Sequence, residues 1–163
     1  MAEINHRLFI ASPIRKVYES LTDENDLSKW WTSNVQSTDA ITAVLKFTFG
    51  AGYFKEMKIV SVAPDAKVEW LCMEGATEWV GTSIIFELSQ ESFSMLSKSN
   101  PELEDQLEQS ECKGEGTLLV FKHINWKNTT AMFSECSYTW AMFLRSLKLY
   151  CETGNRNSLA NPT

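Results

Sequence analysis

"YTWAMFLRSLKLYCETG", residues 138–154, decides the fold. It is the second half of an amphipathic helix that the spacing predicts from about Asn128 to Glu152, with Gly154 as its stop. Met132, Phe133, Cys136, Trp140, Phe143, Leu144, Leu147 and Tyr150 recur three and four residues apart. An apolar stripe of that length needs an extended apolar surface to lie on, and the preceding sequence supplies one in strands.

Residues 3–10 alternate, with Ile4, His6, Leu8 and Ile10 on one parity. Ser12-Pro13 then reads as a helix start, with Ser12 as N-cap and Ile14, Val17, Tyr18 and Leu21 on one face. Thr22 or Asp23 caps a second short helix carrying Leu27, Trp30 and Trp31. Alternating strands follow at 45–49, 53–62, 67–73, 82–89 and 116–124, separated by turn signals such as Gly50-Ala51-Gly52 and Pro64-Asp65. Short turns favour an antiparallel meander. The class is α+β: a sheet of about six antiparallel strands, two short helices after the first strand, and one long C-terminal helix covering the concave face. Residues 1–153 read as one domain and 154–163 as a flexible tail.

Composition excludes several functions. The 163 residues are 44% hydrophobic and 22% charged, the balance of a globular chain. No apolar run approaches the ~18 residues of a membrane span, and MAEINHRLF has no secretory pattern, so a cytoplasmic location is expected. The four cysteines, at 72, 112, 136 and 151, include no CxxC pair and fit reduced thiols. His6 and His123 lack HxH or HExxH spacing, so no metal site is expected, and GAG at 50–52 and GEG at 114–116 lack a phosphate-cradle pattern, so no cofactor is expected either. Net charge is -6, and residues 91–115 hold seven acids against two lysines. With no basic stripe, nucleic-acid binding is excluded. The acidic stretch reads as a long loop inserted between the last two strands, with a short helix starting at Asn100-Pro101 that puts Leu103 and Leu107 on one side.

The run "IASPIRKVYESLTDENDLSKWW", the strand "VEWLCM", the strand end "LLVFKHINW" and the closing helix resemble the START-like, helix-grip (SRPBCC) superfamily. Within it they are most similar to the branch named after the C-terminal domain of the activator of Hsp90 ATPase. The resemblance covers residues 3–153 apart from 91–115. It implies a curved sheet gripping the C-terminal helix, with a cavity between them that in this superfamily commonly holds a lipid, polyketide or other apolar or aromatic molecule. It also implies a second reading, a co-chaperone module that uses its surface on Hsp90, and a third, a cyclase or hydrolase acting on a cavity-bound substrate.

Phe47, Trp70, Phe86, Phe121, Trp140 and Phe143 fall on the predicted inner face and are candidate cavity walls, joined by Met57, Trp126 and Cys136. The competing reading is a solid core filled by the same rings. His123 is the one candidate acid/base or polar anchor, against the alternative of a hydrogen-bonded structural histidine. Cys136, on an apolar helix face without a cationic neighbour, reads as an inert thiol. The doublet Trp30-Trp31 presents two rings about 100° apart; Trp30 is assigned to packing and Trp31 to the cavity mouth. The leading expectation is non-enzymatic binding of a small apolar or aromatic ligand in a cavity of roughly 300 Å³ or more.

Overall fold

The computed structural model describes residues 1–39, 44–50, 52–106 and 114–155, with the side chains of 38 and 39 excepted. Leu107, Cys112 and all but the first two residues of the 154–163 tail lie outside them.

Strand β1 (Ala2–Ile10) leads into helices α1 (Ile14–Thr22) and α2 (Glu24–Trp30). Strands β2 (Asn34–Asp39), β3 (Val44–Thr48), β4 (Phe54–Ala63), β5 (Lys67–Glu74) and β6 (Ser83–Ser92) follow. Helix α3 (Phe93–Ser99) and a 3-10 turn (Pro101–Gln106) precede β7 (Glu115–Trp126) and the closing helix α4 (Ala131–Thr153). All the strands form one curved sheet in the order β1-β7-β6-β5-β4-β3-β2, antiparallel throughout. The α+β helix-grip architecture is therefore as expected, with α4 packed against β1 and both short helices.

Among the described residues the sheet has seven strands where about six were expected. The additional one is β2, an edge strand whose sequence NVQSTD offers a single buried apolar residue, Val35, so alternation carries no signal there. The first helix also starts differently. Pro13, not Ser12, is its N-cap, and no side chain caps it. The Ser12 backbone is held by the strand ends: its carbonyl accepts a hydrogen bond from Thr117 Oγ1 of β7 at 2.9 Å and its N–H donates to Ile10 O of β1 at 2.8 Å. Asp23 caps α2 through Asp26 N at 3.0 Å, Thr130 caps α4 through Phe133 N at 3.3 Å, and Gly154 closes α4 at φ 77°.

The first part of the acidic insertion is folded: the short helix expected at Asn100-Pro101 is a 3-10 turn, and α3 stands before it where a loop was expected. α3 and the 3-10 turn bring Phe93 and Leu103 onto Phe9, a small cluster separate from the main core, with the Phe9 and Phe93 rings 5.2 Å apart. Gln106 accepts the Phe9 N–H at 2.9 Å and donates to Arg7 O at 3.3 Å. The insertion thus satisfies backbone groups of the edge strand β1, which would otherwise invite pairing with another chain. Phe93, Met95, Leu96 and Leu103, dispersed among polar and charged residues, leave little periodicity to read.

Gly116 sits under this cluster. A Cβ there would lie 2.5 Å from Phe9 Cζ and 2.6 Å from Ile10 O, and the carbonyl belongs to a paired strand that cannot move aside. Gly116→Ala is expected to cost about 1–3 kcal/mol, read as a lower urea midpoint at unchanged m-value.

Candidate functional site

The inward faces of β3 to β7 and the inner side of α4 carry a continuous array of aromatic rings. Trp31 lies at its centre, 4.3 Å from Phe47, 5.5 Å from Trp70 in a stack inclined by only 8°, and 5.3 Å from Trp140, centroid to centroid. Phe86 joins Trp70 to Phe121, and Phe121 meets Trp140 at 4.6 Å. Trp30 stacks on the outer side of Trp31, with ring centroids 6.1 Å apart and planes inclined by 14°, and donates its indole N–H to Ser20 O at 2.8 Å, locking α2 to α1. Both rings of the doublet are buried, and Trp31 is the one that faces open space.

That space is a groove of about 230 Å³ between α4, the start of β4 and the turn after β5. Its lining residues are Trp31, Tyr53, Lys55, Trp79, Met132, Glu135, Cys136, Thr139, Trp140 and Phe143. Of the residues expected from sequence, Trp31, Cys136, Trp140 and Phe143 are brought together here. Phe47, Met57, Trp70, Phe86, Phe121, His123 and Trp126 are fully packed in the core and do not line the groove. The rings themselves explain the division: Phe47, Trp70, Phe86, Phe121 and Trp126 pack fully between sheet and helix, leaving a groove smaller than expected.

His123 has the surroundings of a structural histidine. Trp140 Nε1–H donates to its Nδ1 at 3.1 Å, and since an indole nitrogen can only donate, Nδ1 carries no proton. Nε2–H then donates to Thr82 Oγ1 at 2.8 Å, and Thr82 passes its own proton to Trp79 O at 2.6 Å. The chain of donors satisfies every partner only when the imidazole is neutral. Burial, aided by the Lys55 charge, lowers its pKa to about 3. His6 is likewise lowered by burial, with Nε2–H on Ser137 O at 3.1 Å.

The unfolded chain takes up a proton at His123 near its ordinary value of 6.5, whereas the folded chain holds out to about 3. Between those limits the unfolded state binds more protons, so stability falls as pH is lowered from 6.5 toward 3, by about 1.4 kcal/mol per pH unit from this residue. Urea midpoints measured from pH 7 to pH 4 are expected to show this slope, and His123→Gln is expected to flatten it while leaving the share due to His6.

The groove's thiol is quiet. Burial raises the pKa of Cys136, which accepts the Trp79 Nε1–H at 3.4 Å, and burial pushes Cys72 up to about 11. Cys72, Cys136 and Cys151 are all unpaired, and the described residues hold no cluster of three or more metal-ligating side chains.

Sequence reasoning missed Tyr53, Lys55 and Trp79. Tyr53 and Lys55 share a parity with Met57, which was placed inside, so alternation alone puts the lysine inside as well. Trp79 lies in the turn between β5 and β6, where there is no periodicity to read.

Residues 11–152 match the family described as "Activator of Hsp90 ATPase homolog 1-like protein". The chain belongs to that family. Every lining residue of the groove falls inside the family match. Among solved structures, the chain is similar to the Aha1 dimer from Colwellia psychrerythraea, at 30% identity over 94% of this chain and 98% of that one, with a TM-score of 0.71. CalU16 from Micromonospora echinospora shares the fold at 17% identity, covering 99% of this chain and 76% of that one with a TM-score of 0.60. MLL2253 from Mesorhizobium loti does so at 12% identity, covering 90% and 94% with a TM-score of 0.64. No curated protein matches the chain. Among the described residues no helix is long and apolar enough to cross a membrane.

Proposed function

We propose that this chain is a cytoplasmic, non-enzymatic protein that binds a small apolar or aromatic molecule in the groove between the sheet and α4. The observation that carries the reading is the meeting of three indoles, Trp31, Trp79 and Trp140, with Phe143 around one concavity of about 230 Å³. Flat, rigid rings give large contact area at little entropic cost. The helix-grip fold and the family support a ligand-binding domain. Unpaired described cysteines suit a reducing compartment. A hydrolase or cyclase reading finds little support in the groove, since His123 lies behind it with both nitrogens engaged and the Cys136 thiol is raised.

The test is thermal denaturation against a panel of mono- and bicyclic aromatics, lipids and polyphenols. A true ligand at a hundredfold excess over its Kd stabilises by about 2.7 kcal/mol, which raises Tm by several degrees. No shift across the panel would sink the proposal.

A second reading, an Hsp90-directed interaction module, is favoured by the 30% identity to the Colwellia Aha1 over nearly the whole of both chains. It predicts a faster Hsp90 ATPase rate on adding this protein, and an unchanged rate at saturation removes it.

A further inference from the structure

Lys55 is the anomaly of the groove. It occupies an inward position of β4, is only 8% exposed, and reaches the groove wall. Its ammonium lies 4.3 Å from the centre of the Phe49 ring, 4.7 Å from Tyr53 and 4.2 Å from Trp79. Ring faces attract a cation but accept no strong hydrogen bond, and an ammonium brings three donors. Among the described residues Lys55 has neither a hydrogen-bond acceptor nor a carboxylate partner.

The lysine stem is held in place. Gly75, at φ 147°, brings its backbone against the lysine stem, where a Cβ would stand 3.3 Å from Lys55 Cγ. The groups facing the ammonium do not neutralise it. Cys72 of β5 and Cys136 of α4 have thiol pKa values raised by burial, Tyr53 is raised for the same reason, and buried His123 is neutral. Glu135 lines the groove too, but it is solvent-exposed and forms no ion pair with Lys55. Burial lowers the Lys55 pKa to about 8, so the amine remains mainly protonated at pH 7. On a chain of net charge -6, the apolar groove therefore presents an unpaired positive charge.

We propose that the molecule bound in this groove is an aromatic acid, whose carboxylate or phenolate pairs with Lys55 while its ring system lies against Trp31, Trp79 and Trp140. This rests on the ligand-binding reading and deepens it: the rings give affinity for a flat apolar body, and the lysine selects its charge. Among the described residues the ammonium meets ring faces alone, so such a ligand brings it an anionic partner, and charge-assisted bonds are the strong ones.

The experiment compares 2-naphthoate with its neutral isostere 2-naphthamide by calorimetry at pH 7, on the wild type and on Lys55→Met. The wild type is expected to bind the acid about tenfold more tightly than the amide. Lys55→Met is expected to lose that tenfold preference while holding the amide within about threefold. Because the variant could reshape the groove, the Lys55 amine of the wild type is also followed by NMR after 13C reductive methylation. Its pKa is expected to rise with naphthoate and to stay put with naphthamide. An amide that binds as tightly as the acid, or an acid preference that survives in Lys55→Met, overturns this inference and leaves the ligand-binding reading intact. Failure of both compounds to bind at millimolar concentration overturns this inference, whereas the ligand-binding reading falls only if the whole panel of aromatics, lipids and polyphenols leaves Tm unshifted.

Discussion

Glu152→Ala is expected to lose about 3–5 kcal/mol of unfolding free energy. The carboxylate is almost wholly enclosed, with 2% of its side chain exposed, and so is its partner Lys148, at 4%. Lys148 Nζ donates to Glu152 Oε2 at 2.7 Å and to Phe9 O at 2.7 Å, while the Ala11 N–H reaches the same carboxylate oxygen at 2.8 Å. Four groups from α4 and the end of β1 therefore converge, and removing the carboxylate strands a buried ammonium and an amide together. The enclosed geometry makes the effect insensitive to salt, unlike the exposed pair Lys122–Glu87 at 3.0 Å. Replacing both members by methionine is expected to recover much of the loss, because the penalty lies in the orphaned partner. Equilibrium urea unfolding of the two variants checks this, and a loss below about 1 kcal/mol for Glu152→Ala would mean that water reaches the pair. The pair matters to function because it anchors the C-terminal end of the helix that forms one wall of the groove.

Trp140→Ala carries a loss of similar size, about 3–5 kcal/mol, from the cavity it would leave between Phe121, Phe143 and Trp31. It has a second, separable consequence. The Trp140 N–H is what holds a proton off His123 Nδ1. Trp140→Phe keeps most of the ring and removes the donor, so it is expected to cost about 1–3 kcal/mol and to raise the His123 pKa somewhat above about 3, since burial and the Lys55 charge still hold it down. An imidazole NMR titration reads this directly. A His123 that titrates no differently in Trp140→Phe would show that burial and the Lys55 charge, not the directed hydrogen bonds, keep the ring neutral.

The long helix, the strand parities and the early helix pair were all legible because each buries one face and therefore repeats at 3.6 or at 2. What could not be read was whatever lacks a buried face of its own. β2 contributes one apolar side chain to the core, α3 hangs on Phe93, and Trp79 reaches the groove from a turn. The site was half legible for a different reason. Parity correctly sorted rings to the inside but could not tell a ring that fills space from one that borders it; only the packing of Trp31 between Phe47, Trp70 and Trp140 shows where the filling stops. Lys55 was missed through its residue type. Alternation placed it beside Met57, but a lysine is ordinarily read as surface.

Ligand binding between sheet and α4 is tested most directly by the indole N–H signals of the six tryptophans in a 15N NMR spectrum, assigned by single replacements. A compound that raises Tm is predicted to move the signals of Trp31, Trp79 and Trp140, which line the groove, and to leave Trp30 in place, since its N–H is tied to Ser20 O at 2.8 Å on the far side of the doublet. A stabilising compound that leaves those three signals unmoved would place its site elsewhere and contradict the account.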